Sequence, residues 1–347
     1  MYTKFIVGVV YCLIGAEVFL RLFAPQPMIP RHVCATYYGI RGNAPNKTYW
    51  HIGEEYKIKL YTNSKGIRSD REIPYEKSQE IKRIVLLGDS FGMGYEVDYK
   101  DMFSTRLEYY LKDQYGINAE VVNLSTSGHG NAEELLVLQN EGLKYHPDLV
   151  LLAWHTTDYD DNVRSGLYGL NDNLLYRKNK TYLPAVEIRE KLNKIPGYAF
   201  LEQYSNLYSF FREIAGSKTK EWLTNIKRKQ QINIKLNDTE KQADIYAKEL
   251  TLSLLKEIKK TSEENLAQFL LLDIPVRKDR DVFYSNFPLP LDQAKLIFNI
   301  YSPIDGFLQY KGEKIYWEKG HGHFTPLGCD IVGKGLAKYI IENQLLK

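Results

Sequence analysis

The sequence predicts an α/β fold in which a parallel β-sheet is covered by helices on both faces. Short apolar runs alternate with stretches whose apolar residues recur every three to four positions, and the runs stop at small or polar residues. Such runs are typical of parallel strands buried on both faces, and their alternation with helices is typical of a layered α/β domain. An apolar N-terminal stretch predicts one further helix outside this domain.

Four apolar runs are predicted to form strands of the sheet. They cover residues 83–87, 119–124, 149–154 and 269–274, and Pro147 and Pro275 flank the last two. Helical periodicity follows the first run from Met102 onward, and it recurs over about 239–260 and 327–343. Between the second and third runs, Asn131 is predicted to cap a helix, with Glu134 as its reciprocal partner.

The regular alternation fades between about residues 163 and 237, and we interpret this stretch as an insertion. The domain organisation that follows is an anchor or signal segment over 1–24, a linker and N-terminal extension over 25–80, and one α/β domain over 81–347. Prolines at 25, 27 and 30 begin the linker. The basic run 227–229 inside the insertion is more typical of a solvated face than of a binding patch.

The N-terminal segment is a membrane anchor or a targeting signal. Residues 5–23 are apolar except for Glu17 and Arg21, which are spaced to pair on one helix face. A helix of this length spans about 28 Å, close to the thickness of a bilayer core. We favour an uncleaved anchor, with a globular domain outside the cytoplasm. A signal cleaved after Ala16 and a buried helix of a soluble protein remain as alternatives.

Composition and cysteine usage exclude some classes of protein. The chain has 347 residues with 46 Lys and Arg against 43 Asp and Glu, a net charge of +3, which argues against a dedicated nucleic-acid binder. Tyr11 stands where a lipoprotein signal needs a small residue, so lipidation of Cys12 is not expected. A Cys34–Cys329 pair is left open.

Polar residues follow the predicted strands where ligands bind in parallel sheets, beyond the carboxyl ends. The first strand runs into Gly88-Asp89-Ser90, and its serine is expected at a turn before a helix N-terminus. The second and third strands run into the polar segments 123–130 and 155–162, and a further polar segment, 321–328, precedes the last helix. One such segment alone is an ordinary turn, whereas four in one fold indicate a site.

These blocks resemble those of the SGNH hydrolases, also called GDSL esterases. Gly88-Asp89-Ser90 resembles the nucleophile block, Gly128 the glycine that donates to the oxyanion, and His323 the base. The flanks 63–68, 145–148 and 158–162 resemble bacterial membrane-anchored members, and the likeness covers roughly 60–165 and 240–345. It implies a flavodoxin-like, three-layer α/β/α fold without a cofactor.

The resemblance also implies roles for individual residues. Ser90 and His323 would be catalytic, and the oxyanion hole would comprise the amides of Ser90 and Gly128 with a third donor at Thr157. Asp89, His155, Asp158 and His321 would line the site.

Two positions depart from the family pattern. The family's oxyanion asparagine falls on Thr157, whose shorter side chain is a weaker donor, with His155 or Asn162 as substitutes. Loss of one such donor costs on the order of 2.7–4 kcal/mol in the transition state. Gly320 stands where the base-orienting acid is expected, so Glu318 is the nearest acid. Without it, His323 and Ser90 would act as a dyad.

The implied function is ester chemistry on an acylated, most simply O-acetylated, carbohydrate or envelope polysaccharide. Water as acceptor gives an esterase, and a sugar hydroxyl gives an O-acyltransferase that would need a partner such as a membrane-bound acyltransferase. The alternative is a catalytically weak member that binds glycan or a membrane complex. A metal site formed by His321, His323 and Asp158 is the least favoured hypothesis, because no ligand spacing supports it.

Overall fold

A computed structural model describes residues 2–231 and 239–346. The strands are β1 (Val33–Ala35), β2 (Arg41–Asn43), β3 (Thr48–Ile52), β4 (Lys57–Tyr61), β5 (Lys82–Gly88), β6 (Ala119–Asn123), β7 (Leu149–Trp154), β8 (Tyr168–Asn171), β9 (Leu174–Arg177), β10 (Gln268–Asp273), β11 (Val276–Asp279), β12 (Val282–Tyr284) and β13 (Asn299–Tyr301). The helices are α1 (Tyr2–Phe23), α2 (Phe103–Tyr115), α3 (Asn131–Asn140), α4 (Asp158–Ser165), α5 (Val186–Asn193), α6 (Tyr198–Tyr204), α7 (Asn206–Gln231), α8 (Thr239–Glu264), α9 (Leu291–Ala294), α10 (Ile304–Leu308) and α11 (Pro326–Glu342).

The centre of the molecule is a five-stranded parallel sheet in the order β13-β10-β7-β5-β6. The four predicted strands are confirmed as β5, β6, β7 and β10. The sequence does not predict the fifth, β13, because it is only three residues long and Asn299 interrupts the apolar residues around it. All five strands point the same way, so the carboxyl ends of β5, β6 and β7 meet at one edge, where the candidate site lies.

Helices cover both faces of this sheet, and the predicted α/β fold is confirmed. One apolar cluster packs α2 and α11 against the sheet, through side chains such as Phe103, Leu107 and Leu336. A second cluster packs α3, α4 and α8 against the opposite face, through residues such as Leu135 and Leu254. Strands with two covered faces must be apolar throughout, which is why β7 is buried at all six positions.

Two details differ from the sequence-based expectations. Helix α3 begins at Asn131, so Gly130 is its N-cap, and the Glu133 carboxylate reaches back to the Gly130 N–H at 3.3 Å. The predicted Asn131–Glu134 cap is therefore wrong by one residue, and these two side chains bond to each other at 2.8 Å instead. Cys34 and Cys329 are both free thiols, so the pair that the sequence left open is not formed.

The stretch interpreted as an insertion folds into elements of its own. It includes the antiparallel hairpin β8–β9, the helices α5, α6 and α7, and residues 232–238, which lie outside the described part of the chain. The side chains of the basic run 227–229, predicted to face solvent, also lie outside it.

Helix α1 projects from the domain. Glu17 and Arg21 form the expected pair on it at 2.8 Å, and none of its 22 residues is buried. It is long and apolar enough to cross a membrane, a property that a signal sequence shares.

The N-terminal extension forms two antiparallel hairpins, β1–β2 and β3–β4. The first packs beside the loop that follows β6, where Asn43 Nδ2 donates to the Ser125 carbonyl at 3.1 Å. The backbone carbonyl of Arg41 lies 2.7 Å from His129 Nε2 in the same loop. The extension is thus part of the wall of the candidate site.

Candidate active site

Ser90 lies where β5 ends, at the junction between the sheet and an irregular turn. The Asp89 side chain accepts a hydrogen bond from the Phe91 N–H at 2.8 Å, which closes the turn and exposes the serine. Residues 90–97 form successive turns, and α2 begins only at Phe103. The helix expected after Ser90 is thus α2, but the turns over 90–97 separate its N-terminus from the serine.

His323 lies against Ser90. Its Nε2 is 2.7 Å from the serine Oγ, close enough to accept the hydroxyl proton. The imidazole is 9% exposed and packs against the Phe91 ring, with a centroid separation of 4.8 Å. Its backbone carbonyl accepts from the Trp317 N–H at 2.9 Å, which fixes the segment before α11. Local packing thus sets the position of the ring before any substrate binds.

Glu96 faces the other nitrogen of this imidazole. Its Oε2 is 3.3 Å from His323 Nδ1, and the side chain is fully buried. Its Oε1 accepts hydrogen bonds from the Tyr56 hydroxyl at 2.9 Å and from the His321 N–H at 2.8 Å, and it lies 3.1 Å from His321 Nδ1. Burial alone would raise the pKa of Glu96, but the hydrogen bonds from His321 and the nearby His323 imidazole hold it below its ordinary value. The carboxylate is charged at neutral pH and can orient the imidazole.

Glu318, the acid that the sequence suggested, does not take this place. Its side chain is exposed, and its backbone N–H donates to Glu55 at 2.8 Å. Sequence reasoning missed Glu96 because no motif connects it with His323. The available signal was a glutamate in the otherwise uncharged segment 90–97 that directly follows the serine.

Gly128 and Ser90 present their amides at the edge of the sheet. Within residues 2–231 and 239–346, neither amide donates to a backbone carbonyl. Gly128 has a φ of +78°, a conformation that L side chains rarely adopt. A Cβ at this position would also lie 2.8 Å from Nη2 of Arg41, whose guanidinium bonds to the Ser127 carbonyl. The positive φ therefore favours glycine here, and a Cβ would also displace the Arg41 guanidinium.

Thr157 is near the site, but its hydroxyl already has partners. The Oγ1 atom is 2.9 Å from His155 Nδ1 and 3.5 Å from Asp89 Oδ2. Burial, with a contribution from the charge of His323, lowers the pKa of His155 to about 3, so the ring is neutral. The His155 ring lies 4.7 Å from the Phe91 ring, between centroids, so it packs against the turn that carries Ser90.

Asp158 and His321 lie apart from each other. His321 is half-buried on Glu96, whereas Asp158 is fully buried and accepts from Asn131 Nδ2 at 3.1 Å. The hypothesis of a metal bound by His321, His323 and Asp158 is thus wrong, because Asp158 does not lie with the two histidines. No group of three or more His, Cys, Asp or Glu side chains in the described ranges is placed to hold a metal.

Comparison with known proteins finds resemblance in structure only. No protein-family model and no curated protein matches the chain. A protein of the lipolytic G-D-S-L family from Desulfitobacterium hafniense is 11% identical, with a TM-score of 0.39 over 74% of this chain and 99% of that chain. An acetyl-xylooligosaccharide esterase from Geobacillus is 10% identical, with a TM-score of 0.41 over 75% and 94%. A two-domain esterase active on acetylated mannans is 9% identical, with a TM-score of 0.39 over 76% and 49%.

The sequence blocks that resemble the SGNH hydrolases depart from that family's pattern at Gly320, three residues before His323, where the base-orienting acid is expected. A Cβ at position 320 would lie 2.7 Å from Oε2 and 2.9 Å from Oε1 of Glu96. The Glu96 carboxylate thus fills the space that a side chain at 320 would need, which explains the glycine.

Proposed function

We propose that the protein is a serine-dependent ester hydrolase or O-acyltransferase. The observation that carries the proposal is the continuous chain of contacts from Ser90 Oγ through the His323 imidazole to the buried Glu96 carboxylate. A hydroxyl, an imidazole and a carboxylate in this order are the components that activate a serine for attack on a carbonyl.

In the proposed acylation step, Ser90 Oγ attacks the ester carbonyl carbon while His323 Nε2 takes the hydroxyl proton. Glu96 keeps the Nδ1 proton in place and stabilises the imidazolium that forms. The N–H groups of Ser90 and Gly128 donate hydrogen bonds to the carbonyl oxygen, on which negative charge develops. Collapse of this intermediate breaks the ester C–O bond, and His323 returns its proton to the leaving alkoxide. The products are an alcohol and an acyl-serine.

In the second step, an acceptor hydroxyl attacks the acyl-serine and gives its proton to His323. Water as acceptor releases a carboxylic acid, and a sugar hydroxyl yields a new ester. Ser90 recovers its proton from His323 at the end of either route. Thr157 serves as a third donor to the oxyanion only after its hydroxyl leaves His155 and Asp89.

The substrate class we propose is an O-acetyl ester on a carbohydrate or envelope polysaccharide. Support comes from helix α1, which would hold the domain at a membrane surface outside the cytoplasm, and from the acetylated mannan and xylooligosaccharide substrates of two structural neighbours.

The proposal is tested with the full chain in detergent micelles. Hydrolysis of p-nitrophenyl acetate and release of acetate from acetylated mannan are measured for the native chain and for Ser90→Ala. We expect Ser90→Ala to lose activity by about three orders of magnitude or more, since it removes the nucleophile. Mass spectrometry after treatment with a fluorophosphonate should locate the adduct on Ser90.

Ser78→Ala is the matched control, because Ser78 is an exposed serine in the loop before β5. It should keep the native rate. Equal rates for the native chain and Ser90→Ala, with no adduct on Ser90, would contradict the enzyme proposal and favour a glycan-binding role. Adding an unacetylated oligosaccharide and measuring acetylated product then separates transfer from hydrolysis.

A further inference from the structure

Helix α1 is joined to the insertion by a network of hydrogen bonds around Glu17. This carboxylate accepts from the backbone N–H groups of Asn206 and Leu207, at 3.0 and 2.8 Å, and from Ser205 Oγ at 2.9 Å. It therefore caps the first turn of α7, whose N–H groups have no partner within the helix. Arg21 adds a hydrogen bond to the Tyr204 carbonyl at 2.7 Å.

The same contacts fix where α1 leaves the domain. Residues 2–15 of α1 are exposed throughout, whereas Ala16, Glu17 and Leu20 are partly covered. The fully exposed part of α1 thus ends where α1 contacts the end of α6 and the start of α7. If α1 crosses a bilayer, α6 and the first turns of α7 lie at the level of the membrane surface.

This region carries an exposed apolar surface. On α7, the positions 207, 210, 211, 214 and 222 lie on one face of the helix, since their spacing follows the helical repeat. We call this surface, together with the exposed apolar residues of α6, the α6–α7 apolar surface. The exposed members are Phe200 (64%), Leu201 (46%), Tyr204 (50%), Phe210 (36%), Phe211 (60%), Ile214 (40%) and Trp222 (61%).

We propose that the α6–α7 apolar surface is a second membrane contact, embedded in the interfacial layer of the bilayer that holds α1. Aromatic side chains are favoured at this level, and helices with one apolar face insert by about 5–10 Å. The lipid bilayer is the occupant because α7 is bonded at its first turn to α1, the only helix among the described residues that is apolar enough to span a membrane. Two membrane contacts, α1 and the α6–α7 apolar surface, would fix the orientation of the domain and the direction in which the site around Ser90 faces.

The proposal rests on α1 being inserted in a membrane. The experiment tests the insertion of α1 and the membrane contact of the α6–α7 apolar surface separately. The full chain is placed in lipid nanodiscs with acyl chains brominated near the carbonyl end, and tryptophan quenching is measured. Trp50, Trp154 and Trp317 emit as well, so Trp222 is read from the difference between the native chain and Trp222→Phe. In the Trp222→Phe background, one tryptophan at a time is then added by Phe211→Trp on the proposed surface, Tyr11→Trp in α1 and Leu266→Trp as a control, and the emission of the background is subtracted.

Leu266 is the matched control because it is an apolar residue that is 92% exposed, in the loop between α8 and β10. We expect tryptophans at 222 and 211 to lose emission in brominated nanodiscs relative to ordinary ones, while a tryptophan at 266 keeps its emission. A tryptophan at 11 should be quenched more strongly by bromines near the chain terminus.

Quenching at 11 with none at 222 or 211 would overturn the proposed surface and leave the anchor intact. Absence of quenching at 11 would overturn both. Emission at 222 and 211 that shifts to the blue without quenching, and depends on protein concentration, would show that a second copy covers the surface, which also overturns the proposal. None of these results depends on Ser90, so they are independent of the catalytic proposal.

Discussion

At the scale of single residues, the defining feature of the candidate site is the position in the sequence of the carboxylate that faces His323. The pattern of the SGNH hydrolases leads one to expect an acid shortly before the histidine, yet Glu96 stands six positions after the serine. Gly320 leaves room for it, because any side chain at 320 would collide with the Glu96 carboxylate. The carboxylate that faces the imidazole is thus supplied from the segment after the serine and not from the segment before the histidine.

Glu96→Gln should lower kcat/KM by about a hundred- to ten-thousand-fold with little effect on KM. The amide has nearly the size of the carboxylate but presents a donor as well as an acceptor, so it disfavours the correct tautomer of His323. It also removes the negative charge that stabilises the imidazolium. The acid limb of the profile of kcat/KM against pH should therefore move to lower pH, as stopped-flow or steady-state measurements on p-nitrophenyl acetate would show.

Glu318→Gln is the informative comparison for this prediction, since it tests the acid that the sequence suggested. Its exposed side chain should make this substitution nearly silent. Gly320→Ala should lower the rate in the same direction as Glu96→Gln, because the added methyl group displaces the carboxylate. Similar losses for Glu318→Gln and Glu96→Gln would refute the assignment of Glu96.

At the scale of elements, the contact between α1 and α7 explains a charge that is unexpected in an apolar helix. Glu17 is not an unpaired charge: it accepts hydrogen bonds from the N–H groups that begin α7. An isolated charge in that place would be costly. The charge of Glu17, which by itself argues against a membrane span, is thus explained by its bonds to α7, which hold the two helices together.

Glu17→Ala should destabilise the first turn of α7 by about 0.5–2 kcal/mol, the usual range for loss of an N-terminal cap. Hydrogen exchange of the amides of residues 206–209 should become faster, by about five- to thirty-fold for a loss of 1–2 kcal/mol. Mass spectrometry of peptides from the full chain in detergent measures this.

Glu187→Ala is the control for the cap. Glu187 also lies in the first turn of a helix, α5, but its side chain is exposed. It should leave exchange in α7 unchanged. Unaltered exchange at 206–209 in Glu17→Ala would show that the cap contributes nothing to the junction.

At the scale of the whole molecule, a group of buried carboxyls lies between the sheet, α3 and α4. Burial raises the pKa of Asp89 to about 6, and it holds the pKa values of Glu134 and Asp158 well above their ordinary range. Asn131 Nδ2 bridges the last two, at 2.8 and 3.1 Å. Ionisation of these groups is disfavoured in the folded state, so folding is linked to proton uptake.

Glu134→Gln should stabilise the protein, and increasingly so as pH rises above about 4.5, the ordinary pKa of a glutamate. A carboxyl whose pKa is raised by folding stabilises the fold below its unfolded pKa and loses this contribution as pH rises through the folded pKa. Each pKa unit corresponds to about 1.4 kcal/mol. The neutral amide avoids that loss. Urea unfolding at pH 5, 6.5 and 8 measures the difference in free energy of unfolding from the native chain.

The exposed Glu249 on α8 supplies the reference substitution, Glu249→Gln. Its effect on the free energy of unfolding should be small at each pH. A Glu134→Gln effect that stays constant from pH 5 to pH 8 would contradict the linkage. The two variants are compared with the native chain at each pH because buried histidines have the opposite effect on stability. Burial lowers the pKa values of His51 and His129 to about 3, so these residues make the fold more stable as pH rises towards 6.5.

The sequence by itself determined the features that depend on neighbouring residues along the chain. Buried parallel strands need continuous apolar runs, so β5, β6, β7 and β10 could be predicted, and the abrupt polar endings of three of them predicted the site edge. Ser90, Gly128 and His323 belong to short blocks whose local geometry requires particular residue types. The length of α1 is likewise a local property.

Only the tertiary structure decided which distant residues meet. Glu96 faces His323 because β3–β4, the turn after Ser90 and the segment before α11 pack together, and no periodicity encodes that packing. Glu17 caps a helix 190 residues further along, and Arg41 reaches the Gly128 loop from the N-terminal extension. Such contacts satisfy buried polar groups wherever the folded chain leaves them, so they depend on three-dimensional proximity and not on spacing in the sequence.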